Sequence, residues 1–156
     1  MVLTDLTPAE AVIANLRVSS KKSLLQELAQ RMAPLVNGDP RDIFAALLER
    51  ERLGSTGMGR GVAIPHCRLP QVTSILGGLA RLETPIDFEA VDREPVDLVY
   101  VLVAPEGAGS DHLKALARIS RVLRDQAICQ ALRGARDEAA LYAILSDQER
   151  DASRAA

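Results

Sequence analysis

The segment Val96–Val103, with the sequence VDLVYVLV, constrains the fold more than any other part of the chain. It is apolar on both faces, so both faces need to be covered by other parts of the protein. A strand of this kind lies inside a sheet that has helices on both sides. It is also far too short to span a membrane. The segment therefore predicts the central strand of an α/β fold.

Helical and extended patterns alternate around this strand. Ser19 or Ser20 is expected to cap a first helix that Gly38 closes, and Asp39-Pro40 to start a second helix that ends near Leu53. A third helix is expected after a cap at Ser110. A shorter helix that ends near Gly134 and a last helix capped by Asp137 are expected to follow it. The residues expected on the packed face of the third helix are Leu113, Leu116, Ala117, Ser120 and Leu123. Further strands are expected at Val12–Val18, Val62–Ile64 and Ser74–Leu82.

Length and composition limit the class of protein. The 156 residues fit one domain, predicted over residues 1–146, followed by a frayed tail at residues 147–156. Nineteen basic against twenty-one acidic residues, and only 3% aromatic residues, argue against a nucleic-acid partner. Two cysteines are too few for a disulfide scaffold, and no signal peptide or membrane-inserted segment is visible. These features predict a soluble, cytoplasmic protein.

Four glycines lie within the eight residues Gly54–Gly61. Small residues allow successive backbone N–H groups to converge on an anion, and the hydroxyl groups of Ser55 and Thr56 add donors. Guanidinium groups match phosphate oxygens well, and Arg50, Arg60 and Arg68 lie near this loop in the sequence. The loop, including Gly57, is therefore a candidate phosphate site, and a plain glycine turn is the alternative.

The chain has two histidines, His66 and His112. Pro65 favours extended backbone at Ile64, so we expect the strand to stop there and to present His66 at its end. His112 follows the expected cap at Ser110, where the positive helix end favours a neighbouring anion. Both imidazoles meet at one phosphoryl group only if the fold brings them together, which the spacing does not show. A surface histidine or a satisfied core histidine is the plainer interpretation of each.

Other kinds of site fit the residues less well. The loop lacks the GxxxxGK[ST] ending of a nucleotide-binding P-loop. Cys67 is adjacent to His66, but side chains of neighbouring residues in a strand point apart, which disfavours a cysteine hydrolase. Two histidines and two cysteines at these spacings match no zinc signature. No metal and no cofactor is predicted.

Residues 50–66 form a longer pattern, RERLGSTGMGRGVAIPH. This segment resembles the signature of enzyme IIA components of the bacterial phosphotransferase system, of the fructose/mannitol type. The resemblance continues over nearly the whole chain, at Pro85–Phe88, at Pro95–Val99 and at His112. The run Leu53–Gly57 is most similar to the nitrogen-regulatory branch of the family.

The resemblance implies a single-domain mixed β-sheet flanked by α-helices and a phosphohistidine at His66. It implies that a small histidine phosphocarrier protein of the HPr kind donates the phosphoryl group, and it suggests Nε2 as the reacting nitrogen. In the family, the residues that match Arg50, Thr56 and His112 help to hold this group. Two residues depart from the family pattern: Arg60 replaces an Asn or acidic residue, and Cys67 replaces a Gly.

Two functions follow from the resemblance. In the first, the protein is a regulator whose phosphorylation state switches its binding to unidentified target proteins. In the second, it is a sugar-transport relay that passes the phosphoryl group to a IIB component. The Leu53–Gly57 run favours the regulator. In either case we expect the carrier to dock on Met58, with Arg60 and Arg68 around it.

Overall fold

The computed structural model describes the backbone of residues 3–155 and the side chains of residues 3–147. Within these residues, six strands form one mixed sheet with helices on both faces, in a single α/β domain. The helices are α1 (Leu3–Leu6), α2 (Lys21–Val36), α3 (Pro40–Arg52), α4 (Ser110–Leu123), α5 (Gln126–Arg133) and α6 (Glu138–Ala155). The strands are β1 (Val12–Leu16), β2 (Gly57–Gly59), β3 (Val62–Ala63), β4 (His66–Leu69), β5 (Leu76–Ile86) and β6 (Val96–Pro105).

Strand β6 is the centre of the sheet, as its sequence predicts. It pairs antiparallel with β5 and parallel with both β3 and β4, and β1 and β2 lie at the two edges. Val99, Val101 and Val103 pack with α2 and α3 on one face. Leu98, Tyr100 and Leu102 pack with the remaining helices on the other face. Burial on both faces explains why the apolar residues of this strand do not alternate with polar ones.

The beginnings of α2 and α3 follow from their sequences. Ser20 accepts a hydrogen bond from the backbone N–H of Ser23, and the Ser23 hydroxyl group accepts one from the Ser20 N–H, at 3.1 and 3.0 Å. Asp39 accepts a hydrogen bond from the N–H of Arg41 at 2.8 Å, with Pro40 as the first helical residue. The expected end of α2 at Gly38 is wrong by one residue, because Asn37 takes the left-handed conformation there (φ 55°).

The predicted strand end at His66 needs correction. Strand β3 ends at Ala63, and Pro65 interrupts the sheet for a short distance only. The carbonyl of Pro65 accepts a hydrogen bond from the N–H of Leu102 at 3.0 Å, and His66 then begins β4, paired with Leu102 of β6. His66 is therefore held by the central strand rather than by a free chain end.

Helix α4 also differs from its prediction. Gly109 (φ 58°), not Ser110, is its N-cap residue, and Leu113 is exposed. The buried side chains of the helix are His112, Ala115, Ile119, Val122 and Leu123. Both sets of residues have helical spacing, so periodicity alone did not identify the packed face.

The remaining element limits differ modestly. β1 ends at Leu16 rather than Val18, and β5 continues to Ile86 rather than ending at Leu82. Helix α6 crosses the predicted boundary at residue 146, and the separate tail at residues 147–156 stays a prediction. Among the residues that the structure describes, no helix has the length and apolar character needed to cross a membrane.

Candidate functional site

The fold brings the two histidines together in one cavity of about 480 Å³. Their ring centroids are 5.6 Å apart and their planes are tilted by 51°. His66 comes from the start of β4 and His112 from the first turn of α4. The residues that line the cavity are Arg50, His66, Cys67, Arg68, Gly109, His112, Leu113 and Leu116. The cavity is thus formed by the end of α3, the start of β4 and the start of α4.

A backbone hydrogen bond orients the His66 imidazole. Its Nδ1 atom lies 2.8 Å from the carbonyl oxygen of Ile64. A carbonyl oxygen only accepts hydrogen bonds, so Nδ1 must carry the proton and donate it. In the neutral ring, Nε2 then keeps its lone pair. Nε2 is therefore the ring nitrogen of His66 with an available lone pair.

Burial and local charge keep both imidazoles neutral. The pKa of His66 lies below its usual value, first because the ring is buried and then because the positive charges of Arg50 and Arg68 oppose protonation. The bond to Ile64 and the charge of Glu51 act in the opposite direction, but they do not cancel the effect of burial. The pKa of His112 is also lowered, by burial first and then by His66 and Arg68. Both rings are therefore neutral bases at neutral pH.

His112 contributes a polar atom without a protein partner. The residue is only 6% exposed, and its buried Nδ1 atom makes no hydrogen bond to any of the described residues. Buried polar atoms are nearly always hydrogen-bonded, so a buried atom without a partner requires an explanation. His112 also lines the cavity, and a group bound there is a candidate partner for this atom.

Two arginines supply positive charge to the cavity. Arg50 lies in the last turn of α3, and its Nη1 atom donates a hydrogen bond to the carbonyl oxygen of Gly54 at 2.9 Å. Arg68 lies two residues after His66 in β4, so both side chains project from the same face of that strand. Guanidinium groups next to a neutral imidazole suit a site that receives a negatively charged group.

A buried ionic cluster that sequence analysis missed lies directly behind Arg50. The Glu51 side chain is 2% exposed and pairs with Lys21 Nζ at 2.8 Å. It also accepts hydrogen bonds from the hydroxyl group of Thr56 and, at 3.1 Å, from the N–H of Thr56. Lys21 in turn lies 4.5 Å from the centre of the Phe88 ring. The cluster therefore joins α2, α3 and the glycine loop.

Three backbone N–H groups of the glycine loop have hydrogen-bond acceptors within the protein. The N–H of Thr56 donates to Glu51, that of Gly57 to the Ser55 hydroxyl group at 3.1 Å, and that of Arg60 to Asp92 at 2.9 Å. The protein itself supplies the acceptors of these three N–H groups, and the convergence of the loop on an anion stays a prediction. The phosphate-binding roles of Ser55, Thr56, Gly57 and Arg60 stay predictions.

The residues expected to dock a partner are divided between two places. Met58 and Arg60 line a second cavity that contains neither histidine, whereas Arg68 lines the histidine cavity. The exposed apolar residue at the histidines is instead Leu113, which is 67% exposed. Sequence analysis missed it because it was assigned to the packed face of α4. Its position directly after His112 was the signal that could have found it.

Cys67 does not act as a nucleophile in this arrangement. Its side chain packs in the core under α2 and α3, and burial raises the pKa of its thiol to about 12. The thiol therefore stays protonated at neutral pH. No group of three or more potential metal ligands occurs among the described side chains.

The sequence matches the family model described as "Phosphoenolpyruvate-dependent sugar phosphotransferase system, EIIA 2" over residues 5–148. The chain belongs to this family. The resemblance noted in the sequence is therefore confirmed, as is the mixed sheet flanked by helices that it implies.

Relatives of this IIA chain carry the name "Nitrogen regulatory protein". One from Bradyrhizobium diazoefficiens is 56% identical over 146 residues, which cover 94% of this chain and 95% of the relative. One from Escherichia coli strain K12 is 37% identical and covers 94% of this chain and 91% of its own. The crystal structure of nitrogen regulatory protein IIA-Ntr from Neisseria meningitidis superimposes with a TM-score of 0.86 at 33% identity, over 90% of this chain and 97% of that one. The similarity to the nitrogen-regulatory branch is thus confirmed.

Proposed function

We propose that Nε2 of His66 accepts a phosphoryl group from an HPr-like histidine phosphocarrier protein in the cytoplasm, and that the chain acts mainly as a regulator. The hydrogen bond from Nδ1 to Ile64 is the observation that supports this most strongly. This hydrogen bond places the proton on Nδ1 and leaves the lone pair on Nε2. Membership of a family of phosphotransfer components supplies the class of reaction.

The transfer exchanges one phosphorus–nitrogen bond for another. His66 Nε2 attacks the phosphorus of the donor phosphohistidine in line, the new Nε2–P bond forms, and the P–N bond of the donor breaks. The electron pair of the broken bond stays on the donor imidazole. Because Nδ1 keeps its proton throughout, no general base is needed, and the hydrogen bond to Ile64 stabilises the charge of the phosphorylated ring.

Catalysis then depends on position and charge. The transition state of phosphoryl transfer is loose, and its negative charge lies on the three equatorial oxygens. Arg50 and Arg68 line the cavity with His66 and neutralise part of that charge. The second imidazole, His112, lies within reach of the same group and donates a hydrogen bond to an oxygen through a ring N–H. The site needs no metal or cofactor for this step.

The surface around the cavity suits a protein donor. Leu113 is exposed at the cavity and Leu53 is exposed just beyond α3. Arg50 and Arg68 line the same cavity as His66 and Leu113. An apolar centre with a polar rim is the usual composition of an interface. We therefore add Leu113 to Met58 and Arg68 as docking residues.

Regulation is preferred to relay because of the relatives that this chain resembles. Those with the highest identity described above are named nitrogen regulatory proteins. The relay alternative is supported by a relative named "PTS system fructose-specific EIIA component" from Haloferax volcanii, 30% identical over 93% of this chain and 95% of its own. A complex of enzyme IIA mannitol with phosphorylated enzyme IIB mannitol from Escherichia coli also resembles this chain, with a TM-score of 0.76. At 16% identity that likeness extends to the fold only.

Labelling by a phosphorylated carrier tests the proposal. The wild-type chain should gain acid-labile, alkali-stable phosphate, and His66→Ala should gain none although its thermal unfolding stays close to that of the wild type. Cys67→Ser serves as a control, because it changes the neighbouring residue and leaves the imidazole in place. Equal labelling of His66→Ala and the wild type would contradict the assignment.

A further inference from the structure

A second cavity of about 820 Å³ lies between the β2–β3 hairpin and helix α5, and neither histidine lines it. Arg60, Arg124 and Arg133 all contribute to its lining, together with one carboxylate, Asp92. Its volume falls within the range of pockets that bind small organic molecules. Nothing in the proposed phosphoryl transfer uses these three arginines as a group.

The fold holds the side chain of Arg133 and the backbone of Arg60 in place. Arg133 makes a two-pronged ion pair with Asp97, at 3.0 Å from Nε to Oδ2 and 2.9 Å from Nη2 to Oδ1. Its Nη2 atom also donates a hydrogen bond to the backbone carbonyl of Arg60 at 3.0 Å. The N–H of Arg60 is held by Asp92 at 2.9 Å, and its backbone is in the left-handed region (φ 58°). The rim of the cavity is therefore organised before any ligand arrives.

The guanidinium groups of Arg60 and Arg124 have no ion-pair partner among the described side chains. The Asp92 carboxylate is already engaged by the backbone N–H groups of Arg60 and Glu94. Asp97 neutralises Arg133, so Arg60 and Arg124 leave an excess of positive charge over Asp92. Unpaired guanidinium groups at a concave surface bind phosphate oxygens in a bidentate way.

The rest of the cavity is not suited to a bare anion. Met58, Val62 and Leu123 give it an apolar wall. The side-chain amides of Gln126 and Gln130, one turn apart on α5, also line it. Flexible methionine and flat guanidinium groups pack well on aromatic rings, and amides donate to and accept from the polar edge of a base. The start of α5 is not the binding feature, because Asp125 already caps it.

We propose that this cavity binds a nucleotide of the nucleoside diphosphate class. The phosphates contact Arg60, Arg124 and the fixed Arg133, and the base lies against the apolar wall near the two glutamines. The β2–β3 hairpin, which lines this cavity, also belongs to the segment of chain that leads to His66. The proposal does not depend on phosphorylation of that histidine. A protein partner with an acidic segment is the other class of ligand, and the test below separates the two.

Titration calorimetry at low salt tests the proposal with ADP and GDP as probes, and with adenosine and pyrophosphate as fragments. At least one nucleotide should bind with a Kd below about 1 mM, and more tightly than either fragment, because each fragment engages only half of the cavity.

Arg60→Asn and Arg124→Gln should each weaken binding by about tenfold or more. Asparagine tolerates the left-handed backbone at position 60, so the first variant removes the guanidinium group without straining the hairpin. Arg121→Gln is the matched control, since Arg121 is exposed on the same helix as Leu123 and lies outside the cavity.

NMR spectra of the same samples locate the bound nucleotide. The Met58 methyl signal and the side-chain amide signals of Gln126 and Gln130 should shift, while the ring signals of His66 and His112 should not. The proposal would be overturned by binding that both arginine variants retain in full, by shifts confined to the histidines, or by pyrophosphate that binds as tightly as the nucleotides. Absence of saturable binding by either nucleotide, or tighter binding of an acidic peptide at the same signals, would also overturn it.

Discussion

The neutral state of the two imidazoles is a property of single residues, and it has a measurable pH dependence. Burial lowers the pKa of His66 and of His112 from the ordinary value of 6.5, and the arginines at the cavity add to this. At pH 6.5 both rings should therefore be mostly neutral, whereas a free imidazole is half protonated. The rate of phosphoryl acceptance should therefore decrease at low pH with a midpoint below 6.5, because the neutral ring is the nucleophile.

The same shifts link pH to folding. Between the lowered pKa values and 6.5, the unfolded chain binds more protons than the folded chain, so stability should decrease as the pH falls below 6.5. NMR titration of the ring protons, with His112→Ala to assign the signals, gives both pKa values directly. A midpoint at or above 6.5 for His66 would show that the ring is not held neutral in this way.

His112 is the residue whose contribution is most easily isolated. His112→Ala keeps the nucleophile and removes one donor to the transferring oxygens. Loss of one such donor costs on the order of 10²–10³ in rate, and less where an arginine shares the same charge. We expect slow but complete labelling, measured by quenched-flow transfer from the phosphorylated carrier. Labelling at the wild-type rate would make His112 a structural residue of α4.

At the scale of secondary-structure elements, the Lys21–Glu51 pair holds α2, α3 and the glycine loop together. Glu51→Gln removes the negative charge and leaves Lys21, whose side chain is 15% exposed, without its partner. Loss of one partner of a buried ion pair costs about 3–5 kcal/mol. We therefore expect a decrease of about 3 kcal/mol in the free energy of unfolding in urea. Labelling should also be slower, because Arg50, the residue before Glu51, lines the histidine cavity.

Glu49→Gln is the matched control for this prediction. Glu49 lies on the same helix and pairs with Arg52, but its side chain is 68% exposed. Exposed ion pairs contribute little, so this variant should differ from the wild type by less than about 1 kcal/mol. If the two variants unfold alike, the buried cluster does not stabilise the junction of these elements.

The elements also differ in how well the sequence predicts them. Strand β6 and the helix caps at Ser20 and Asp39 were predicted correctly, because each depends on residues that are close together in the sequence. The burial of Glu51 has no local signal in the sequence, because its partner Lys21 lies in another helix. The packed face of α4 was misassigned for a related reason, since two sets of residues have helical spacing and only the sheet selects between them. The burial of Glu51 and the packed face of α4 therefore depend on contacts with residues distant in the sequence, which local patterns do not show.

At the scale of the whole molecule, the proposed phosphorylation of His66 would change the charge of one surface. The phosphoryl group adds about −1.5 to −2 charge beside Leu113, in a region that is otherwise apolar and basic. A target that binds the dephosphorylated surface should be released. His66→Asp, a simple charge mimic, should lose partners that His66→Ala retains in affinity capture from extracts. Equal recovery by both variants would favour the relay alternative.

The position of the phosphorus on the His66 ring tests the central proposal most directly. The chain is phosphorylated by the carrier after labelling with ¹⁵N, and long-range nitrogen–proton spectra then show which ring nitrogen carries the group. The bond from Nδ1 to Ile64 predicts one phosphohistidine, at His66, with phosphorus on Nε2 and a proton on Nδ1. Phosphorus on Nδ1, or on any residue other than His66, would contradict it.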